Sequence, residues 1–385
     1  MVDDGETHAE LRYRPVGVVG AIGPWNWPMM ITVWQVAPAL RMGNTVVVKP
    51  SEYTPLSVLA LVDVLNSVLP ADVLTAVAGD REVGARLSSH PDVDKLMFTG
   101  STATGRTIGE RAGRNLIDCC LELGGKNPMI VLDDAVVDDV VTGALFGVFG
   151  NTGQICMHIE RIYLPDSLYD EFRSKFVAAA EGLRLGASYD FEPELGSLIS
   201  VDHRDRVASH VEDAVAKGAT VVTGGRARPD LGPAFFEPTV LEGVTKDMLA
   251  GSCETFGPVV ALHRYSTVDE AVALANDTDY GLNASVWGSD LERAAAVGRR
   301  IESGNVNVND ALAAAYASKG TPSGGVKQSG VGARHGDQGL LKYTDVQNLA
   351  VLKKPVLGPK PGQDYAEYAK QMLTGLKVMR KTRIR

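Results

Sequence analysis

Apolar runs alternate with segments of helical periodicity from near the start of the chain. Four runs have the length and β-branched content of strands: residues 16–22, 45–50, 73–79 and 95–100. The segments between and after them show helical spacing with proline or glycine boundaries: 29–43, 54–70, 82–90 and one from about Thr102. Strands that alternate with helices of this length predict βαβ units and a parallel sheet, and hence an α/β fold.

A second series of the same kind begins near Asn127 and continues to about residue 309, with later strands predicted in "RIYLP", "TVVTGG", "NASVWG" and "NVNVN". Residues 354–363, "KPVLGPKPGQ", follow as a Pro/Gly linker. Residues 364–385 form a basic tail with an apolar stripe at helical spacing: Tyr365, Tyr368, Met372, Leu376 and Met379. Such a stripe suits an anionic membrane surface, or packing on the body or on a partner subunit, and we favour the packing.

The composition narrows the functional classes. With 385 residues and 45% hydrophobic content the chain is large enough for two domains, and its net charge of −9 argues against nucleic-acid binding. No apolar run has the length of a transmembrane span, and the start, "MVDDGETHAELRYRP", lacks the apolar core of a signal peptide. Four cysteines form no disulfide framework, which favours a reducing cytoplasm, and we predict no metal site.

Polar residues follow two of the predicted strands. Asn26, in "GPWNWP", could donate a hydrogen bond to a developing oxyanion, although taken alone it is more typical of a helix cap. Lys49 and Glu52 follow the next strand, at the end where α/β sheets bind ligands. This pair could bind the hydroxyls of a ribose, or it could be a solvated surface pair.

Two further stretches suggest anion binding and acid–base chemistry. Gly100, Ser101 and Gly105, in "FTGSTATGR", place backbone N–H groups at a helix start, which suits a phosphate, although the spacing is not that of GxGxxG. Glu122 lies between two leucines in "CLELGGKNP". Apolar neighbours would raise its pKa towards that of a general base, whereas a half-buried strand would turn it to solvent.

Cys156, in "GNTGQICMHIE", lies in a glycine-broken loop. A lone cysteine is usually buried and inert, but a reactive one needs this kind of access. The cysteine, the glutamate, the amide and the phosphate loop share one chemical use. Sulfur attacks an aldehyde to form a thiohemiacetal, hydride leaves to nicotinamide, and water activated by the carboxylate hydrolyses the thioester.

Several motifs together resemble the aldehyde dehydrogenase superfamily, in its order, from residue 15 to about 345: "GPWNWP", "VVVKPSE", "FTGSTATGR", "LELGGKNP", "GQICM", "ETFGPVV", "GLNASVW" and "PSGGVKQSG". The resemblance implies an open parallel-sheet cofactor domain, an α/β catalytic domain and a small β oligomerisation element. It divides the chain into an oligomerisation strand region, a cofactor domain, a catalytic domain, a return segment with a second oligomerisation strand, and the linker with the tail: 1–14, 15–125, 126–330, 331–353 and 354–385.

The resemblance also implies roles for individual residues. Cys156 would be the nucleophile and Glu122 the general base, and Asn26 would form an oxyanion hole with the backbone N–H of Cys156. The cofactor contacts would be Ile22, Trp25, Lys49, Ser51, Glu52, Gly100, Ser101, Gly105, Leu123, Glu254 and Phe256. Because Glu52 would repel a 2′-phosphate, we expect NAD to be preferred, with NADP as the alternative.

The succinate-semialdehyde dehydrogenase-like branch is the most similar in "ERIYLPDSLYDEF", "LGSLIS" and "ARHGDQGLLKYT". A carboxylated aldehyde would need a cation, for which His158, Arg161 and Lys319 are candidates. The loop at 311–320 is largely apolar and would equally suit an aliphatic or aryl aldehyde. Strands near 10–18 and 343–353 would join subunits into a homodimer or homotetramer.

The motif with Trp25 and Asn26 lies nearer the start of this chain than the resemblance implies. We therefore expect an N-terminally shortened cofactor domain. The alternative is a non-catalytic fragment that binds nucleotide or a partner. An acylating dehydrogenase, which releases a thioester, is disfavoured because Glu122 is present to activate water.

Overall fold

The computed structural model describes residues 2–3, 7–190, 192–353, 358–359 and 361–382. The chain divides into two compact units. One is Pro15–Thr344, and the other combines the described residues of 1–14 with those of 345–385.

The first sheet of the larger unit has six strands within the described residues, in the order Gly330–Val331, Asp118–Glu122, Lys95–Thr99, Val18–Ile22, Thr45–Lys49 and Leu74–Ala76. All neighbours are parallel except the first pair, which is antiparallel. The central strands are buried and carry valine, leucine and methionine, as expected for a parallel sheet covered on both faces. The helices of this part are Pro28–Arg41, Leu56–Asn66, Arg81–Ser89 and Thr102–Asn115.

The second sheet has seven strands within the described residues, in the order Thr220–Thr223, Thr239–Glu242, Val259–Tyr265, Ile159–Pro165, Asn127–Val131, Asn283–Trp287 and Asn305–Val308. Only the pair at the Thr220–Thr223 edge is antiparallel. A two-stranded ribbon pairs Tyr280–Gly281 with Val326–Lys327. The helices are Val137–Phe149, the 3-10 turn Gly150–Gly153, Asp166–Glu181, Val201–Ala216, Leu249–Ser252, Val268–Asn276, Leu291–Gly298, Ala313–Ala317 and Gly336–Leu341.

The chain connects the two sheets through opposite ends of their strands. Glu122 is the last residue of its strand in the first sheet, whereas Asn127 is the first residue of its strand in the second. Four residues separate these strands, and the glycines Gly124 and Gly125 lie among them. The carboxyl edge of the first sheet is thereby connected directly to the amino edge of the second.

The smaller unit contains an antiparallel ribbon, Val2–Asp3 with Thr7–Pro15, to which Thr344–Leu352 is added as a third strand. It also contains the helix Tyr365–Thr382, whose described residues are exposed along its length. The helices of the described part are all too short or too polar to traverse a bilayer. Most of the predicted linker, at positions 354–357 and 360, and the tail residues 383–385 lie outside the described residues.

The predicted α/β class with parallel sheets is confirmed, and the helix and strand boundaries differ by a few residues. The helix expected over 54–70 ends at Asn66, and the strand expected near 10–18 is divided between Thr7–Pro15 and Val18–Ile22. Two strands of the second sheet had no sequence prediction: Thr239–Glu242 and Val259–Tyr265.

Candidate active site

Cys156 lies just before the strand Ile159–Pro165, after a turn with three consecutive left-handed residues. Asn151, Thr152 and Gly153 have φ angles of 51°, 58° and 71°. Only glycine fits the third position, because a Cβ there would lie 2.1 Å from the carbonyl oxygen of Gly257. This close approach joins the Cys156 loop to the segment that follows Glu254.

The loop is held at the amino edge of the second sheet by Asn127. Its Nδ2 donates to the carbonyl oxygens of Cys156 at 2.9 Å and of His158 at 2.7 Å. Its Oδ1 accepts from the backbone N–H of Asn283 at 3.0 Å. A Cβ on Gly125 would lie 2.9 Å from the Cys156 carbonyl oxygen. The double glycine therefore allows the backbone that connects the two sheets to contact the Cys156 loop.

Asn26 reaches the same loop from the first sheet. Its Nδ2 donates to the carbonyl oxygen of Gln154, two residues before Cys156, at 2.9 Å. An amide NH₂ has two donors, so this contact leaves one N–H for another acceptor. The structure therefore brings the predicted amide donor to the predicted nucleophile.

Glu122 is the last residue of the strand Asp118–Glu122 in the first sheet. Its carbonyl oxygen accepts from Gly100 N at 3.1 Å, and the next N–H, of Leu123, donates to Ser329 O at 2.9 Å. Its carboxylate forms an ion pair with the guanidinium of Arg334. Burial raises the pKa of Glu122, and the charges of Arg334 and Lys342 oppose this rise without cancelling it.

Arg334 is a buried residue of this site that the sequence analysis did not identify. Its Nη2 donates to Thr99 Oγ1 at 2.6 Å, and its guanidinium lies 5.0 Å from the ring centroid of Trp34. The only sequence signal is a basic pair, Arg334 and His335, in an otherwise glycine-rich segment. Its carboxylate partner lies on a distant strand, which no local pattern indicates.

The surroundings of Cys156 keep its sulfur protonated. Burial and the negative charges of Glu122 and Glu254 raise the pKa of Cys156 to about 12, while Arg334 acts in the opposite direction. These charge effects require the two carboxylates and the guanidinium to lie near the sulfur. At neutral pH the thiol must therefore give its proton to a base before it can act as a nucleophile.

Glu254 lies against the double glycine. Its Oε1 accepts from the backbone N–H of Gly125 at 3.0 Å, and a Cβ on Gly124 would lie 2.2 Å from its Oε2. Burial, and secondly the charge of Glu160, raises the pKa of Glu254 to about 7. The next residue but one, Phe256, packs edge-on against Trp25 with centroids 5.4 Å apart. Trp25, Glu254 and Phe256, three predicted cofactor contacts, therefore lie in one region.

The other predicted cofactor residues lie along the carboxyl edge of the first sheet. The ammonium of Lys49 is buried and contacts Glu52 Oε2 at 3.1 Å, while Glu52 is half-exposed. Ile22 ends the neighbouring strand, and Ser51 is also buried. This pair of charges beside buried backbone is consistent with a site for a polyhydroxylated, anionic ligand.

The predicted phosphate loop opens the helix Thr102–Asn115. Ser101 caps the helix by accepting from the N–H of Thr104 at 3.3 Å. Gly105 has a packing role, because a Cβ there would lie 2.4 Å from Leu123 Cδ2. A helix start at a parallel-sheet edge suits phosphate, and with Lys49 and Glu52 it fits the adenosine half of a nicotinamide dinucleotide.

The three predicted substrate cations are placed differently. Arg161 is buried and all five of its N–H donors are used, by the carbonyl oxygens of Lys126, Leu274 and Ala275 and by Tyr163 Oη. His158 is fully buried, with Nδ1 at 2.6 Å from Ile155 O and Nε2 at 3.2 Å from a Glu160 oxygen. Lys319 is exposed, beyond the helix Ala313–Ala317. Arg161 therefore has no N–H left for a substrate carboxylate, and His158 lies in the interior beside Glu160.

Comparison with known proteins identifies the family of this chain. The model of the aldehyde dehydrogenase family matches residues 2–349. The chain is 46% identical over 379 residues to a putative succinate-semialdehyde dehydrogenase [NADP(+)] of Mycolicibacterium smegmatis, covering 98% of this chain and 73% of the relative. It is 47% identical over 363 residues to a similarly named Mycobacterium tuberculosis protein, covering 94% and 70%.

Solved structures give the same result. Betaine aldehyde dehydrogenase from Staphylococcus aureus, determined with NAD⁺, superposes with a TM-score of 0.87 at 36% identity, covering 92% of this chain and 70% of that chain. An aldehyde dehydrogenase variant from Bacillus cereus gives a TM-score of 0.88 at 35% identity, covering 92% and 72%.

Proposed function

Because this chain belongs to the aldehyde dehydrogenase family, we propose that it oxidises succinate semialdehyde to succinate, with Cys156, Glu122 and Asn26 carrying the reaction. The protein is an oxidoreductase that converts an aldehyde to a carboxylic acid with NAD or NADP as the acceptor. The choice of aldehyde is supported by the names of the mycobacterial relatives. The roles of the three residues are supported by their contacts.

In the first step the thiol of Cys156 gives its proton to solvent, and the sulfur attacks the aldehyde carbon. The pKa of about 12 makes this transfer necessary, and the effect of Glu122 on that pKa supports a carboxylate close to the sulfur. The free N–H of Asn26 and the backbone N–H of Cys156 donate to the oxyanion of the thiohemiacetal.

The bound cofactor supplies the acceptor for the hydride that leaves the aldehyde carbon. Glu122 then accepts a proton from water, and the resulting hydroxide attacks the thioester carbon. The carbon–sulfur bond breaks, the acid is released and Cys156 is regenerated. Because burial raises the pKa of Glu122, its carboxylate is a stronger base than a solvated one.

One observation supports this assignment above the others. Asn26 of the first sheet donates to the loop that carries Cys156 of the second sheet, and the carboxylate charge of Glu122 raises the pKa of the Cys156 thiol. Amide, carboxylate and thiol therefore surround one small region.

The covalent role of Cys156 can be tested by Cys156→Ala, with Cys253→Ala as the matched control. Cys253 is a partly buried free cysteine like Cys156, and it lies beside Glu254. We expect the first variant to lose NADH formation entirely while still binding NAD, and the control to keep most of its activity. Turnover by Cys156→Ala would refute the covalent mechanism.

The substrate proposal requires a cation for the distal carboxylate. Every N–H of Arg161 is engaged and His158 is fully buried, so Lys319 is the remaining candidate, and it is exposed in the loop after Ala313–Ala317. We expect Lys319→Gln to raise the KM for succinate semialdehyde about tenfold and to leave that for butanal unchanged, since a charge-assisted bond is lost only with the first. Equal effects on both aldehydes would refute this contact, and a preference of the unchanged protein for butanal would refute the substrate.

NAD is the expected cofactor because Glu52 lies beside Lys49 at the predicted ribose position. The Mycolicibacterium and Mycobacterium relatives are named for NADP(+). The Michaelis constants of this protein for NAD and for NADP should therefore be measured side by side. Comparable Michaelis constants for NAD and NADP would contradict the role given to Glu52.

We also expect a homodimer or homotetramer in the cytoplasm. The strands Thr7–Pro15 and Thr344–Leu352 expose apolar side chains suited to a subunit interface: Leu11, Tyr13, Val346, Leu349 and Val351. Light scattering after size exclusion should give a multiple of the chain mass. We favour packing of the tail helix Tyr365–Thr382 on protein rather than on a membrane. The protein should therefore not co-sediment with anionic vesicles.

A further inference from the structure

Glu160 is a buried carboxylate that receives contacts from three different segments. Its side chain is 1% exposed and forms an ion pair with Lys126. Its Oε1 lies 3.2 Å from His158 Nε2. It also accepts from the backbone N–H of Thr255, at 2.9 and 3.1 Å, and from that of Phe256 at 3.1 Å.

Each of these segments carries part of the proposed active site. Lys126 follows the double glycine and is four residues beyond Glu122. His158 is two residues beyond Cys156. Thr255 and Phe256 directly follow Glu254, whose own carboxylate contacts Gly125. A single side chain therefore joins the segments that carry the base, the nucleophile and the predicted nicotinamide-ribose contact.

The segment after Glu254 needs such support. Phe256 has a φ of 57°, in the left-handed region that non-glycine residues rarely adopt. Two successive backbone N–H groups converge on one carboxylate there, and hydrogen bonds to a charged acceptor are stronger than neutral ones. The turn also directs the Phe256 ring against Trp25, and His203 Nε2 lies 2.7 Å from the Phe256 carbonyl oxygen.

The charges around Glu160 keep it ionised. Burial alone would raise the pKa of Glu160, but Lys126 and His158 outweigh burial and hold the pKa well below its usual range. The carboxylate therefore accepts hydrogen bonds throughout the pH range of catalysis. Its position at the start of the strand Ile159–Pro165 fixes it to the second sheet.

We infer that Glu160 is a positioning residue, which holds the segment Glu254–Phe256 against the Cys156 loop so that the nicotinamide end of the cofactor is aligned with the sulfur. Glu160 touches neither the aldehyde nor the reacting atoms. This inference rests on the proposed function, because the alignment matters only if Cys156 is the nucleophile.

Two double variants separate positioning from stability. In Glu160→Gln with Lys126→Gln, both charges are removed and an amide oxygen remains to accept from the two N–H groups. In Glu160→Leu with Lys126→Met, the apolar pair fills the space, and such replacements often preserve stability. The second variant leaves the N–H groups of Thr255 and Phe256 without this acceptor.

We expect the Leu/Met variant to slow single-turnover hydride transfer about a hundredfold, and to raise the Kd for NAD about tenfold, because small misplacements at a reacting centre are costly. The Gln/Gln variant should stay within about fivefold of the unchanged protein in both. In both variants iodoacetamide should alkylate Cys156 at the same rate as in the unchanged protein. Glu242→Gln, which removes an ion-paired glutamate elsewhere in the same sheet, should change none of these values.

Hydride transfer and NAD affinity that match the unchanged protein in a folded Leu/Met variant would overturn the inference. Equal losses in both double variants would do the same, because they would show that charge rather than hydrogen-bond acceptance matters. If the unchanged protein oxidises no aldehyde, the proposed function fails. In that case the Kd for NAD in the two double variants still tests whether Glu160 positions Glu254–Phe256, because NAD binding does not depend on aldehyde oxidation.

Discussion

Arg334→Met removes the cation that faces Glu122. The two side chains are only 4% and 15% exposed, so water screens their charges weakly. Methionine retains much of the length of arginine and the apolar contact with Trp34, but it loses the hydrogen bond to Thr99 Oγ1. The substitution therefore tests chiefly the electrostatic effect of the guanidinium on the proposed base.

The magnitude follows from Coulomb's law. Opposite unit charges about 4 Å apart attract by about 4 kcal/mol at an effective dielectric constant of about 20. A loss of this size, even when residual screening reduces it, strongly disfavours the ionised carboxylate. Burial already raises the pKa of Glu122 and Arg334 opposes that rise, so removing Arg334 raises the pKa further.

A base must be ionised to accept a proton, so the rate should fall at neutral pH and recover in alkali. The assay is kcat/KM and kcat for aldehyde oxidation as functions of pH. We expect the lower midpoint to rise in Arg334→Met and to rise much less in Arg334→Lys, which keeps the charge. Arg173→Met, which breaks the more exposed Arg173–Glu242 pair, is the control. A folded Arg334→Met protein with an unchanged or lower midpoint would refute this reasoning.

Three other predictions concern the same region. Glu122→Gln should increase the rate at which iodoacetamide alkylates Cys156 at pH 8, because a negative charge that raises the thiol pKa is removed. Aldehyde turnover should fall in the same variant. A slower alkylation would contradict this prediction. Gly153→Ala should lower the free energy of unfolding by at least about 1–2 kcal/mol, since φ is 71° and a Cβ would meet a carbonyl oxygen, whereas Gly196→Ala, with open space, should be nearly neutral in thermal denaturation. Glu52→Ser should lower the KM for NADP relative to that for NAD, and an unchanged ratio would exclude electrostatic discrimination by this carboxylate.

The alternating architecture was predictable because the buried parallel strands are continuous apolar runs. Thr45–Lys49 and Lys95–Thr99 were recognised for this reason. The strand Val259–Tyr265 was missed, since His263 and Arg264 interrupt its apolar pattern near the end. Its position in the middle of the sheet comes from tertiary pairing with Ile159–Pro165, which local sequence does not encode.

The site was predictable where its residues follow strand ends, and unpredictable where they pair across the fold. Glu122 and Asn26 stand out because each is a polar group at a glycine- or proline-bounded strand end, and Cys156 stands out because it lies in a glycine-broken loop. Arg334 and Glu160 depend on partners from distant segments, so their roles emerge only in three dimensions. Arg161 shows the reverse, because a cation near the nucleophile in sequence is used up by backbone carbonyls.

The convergence of Cys156, Glu122 and Asn26 is tested most directly by trapping the acyl-enzyme. Glu122→Gln is mixed with NAD and succinate semialdehyde, quenched in acid within one turnover and analysed by peptide mass spectrometry. The predicted result is one succinyl group on the peptide that contains Cys156, formed together with one equivalent of NADH and hydrolysed slowly. NADH formation without any acyl group on Cys156, or an acyl group on a different cysteine, would contradict the proposed mechanism.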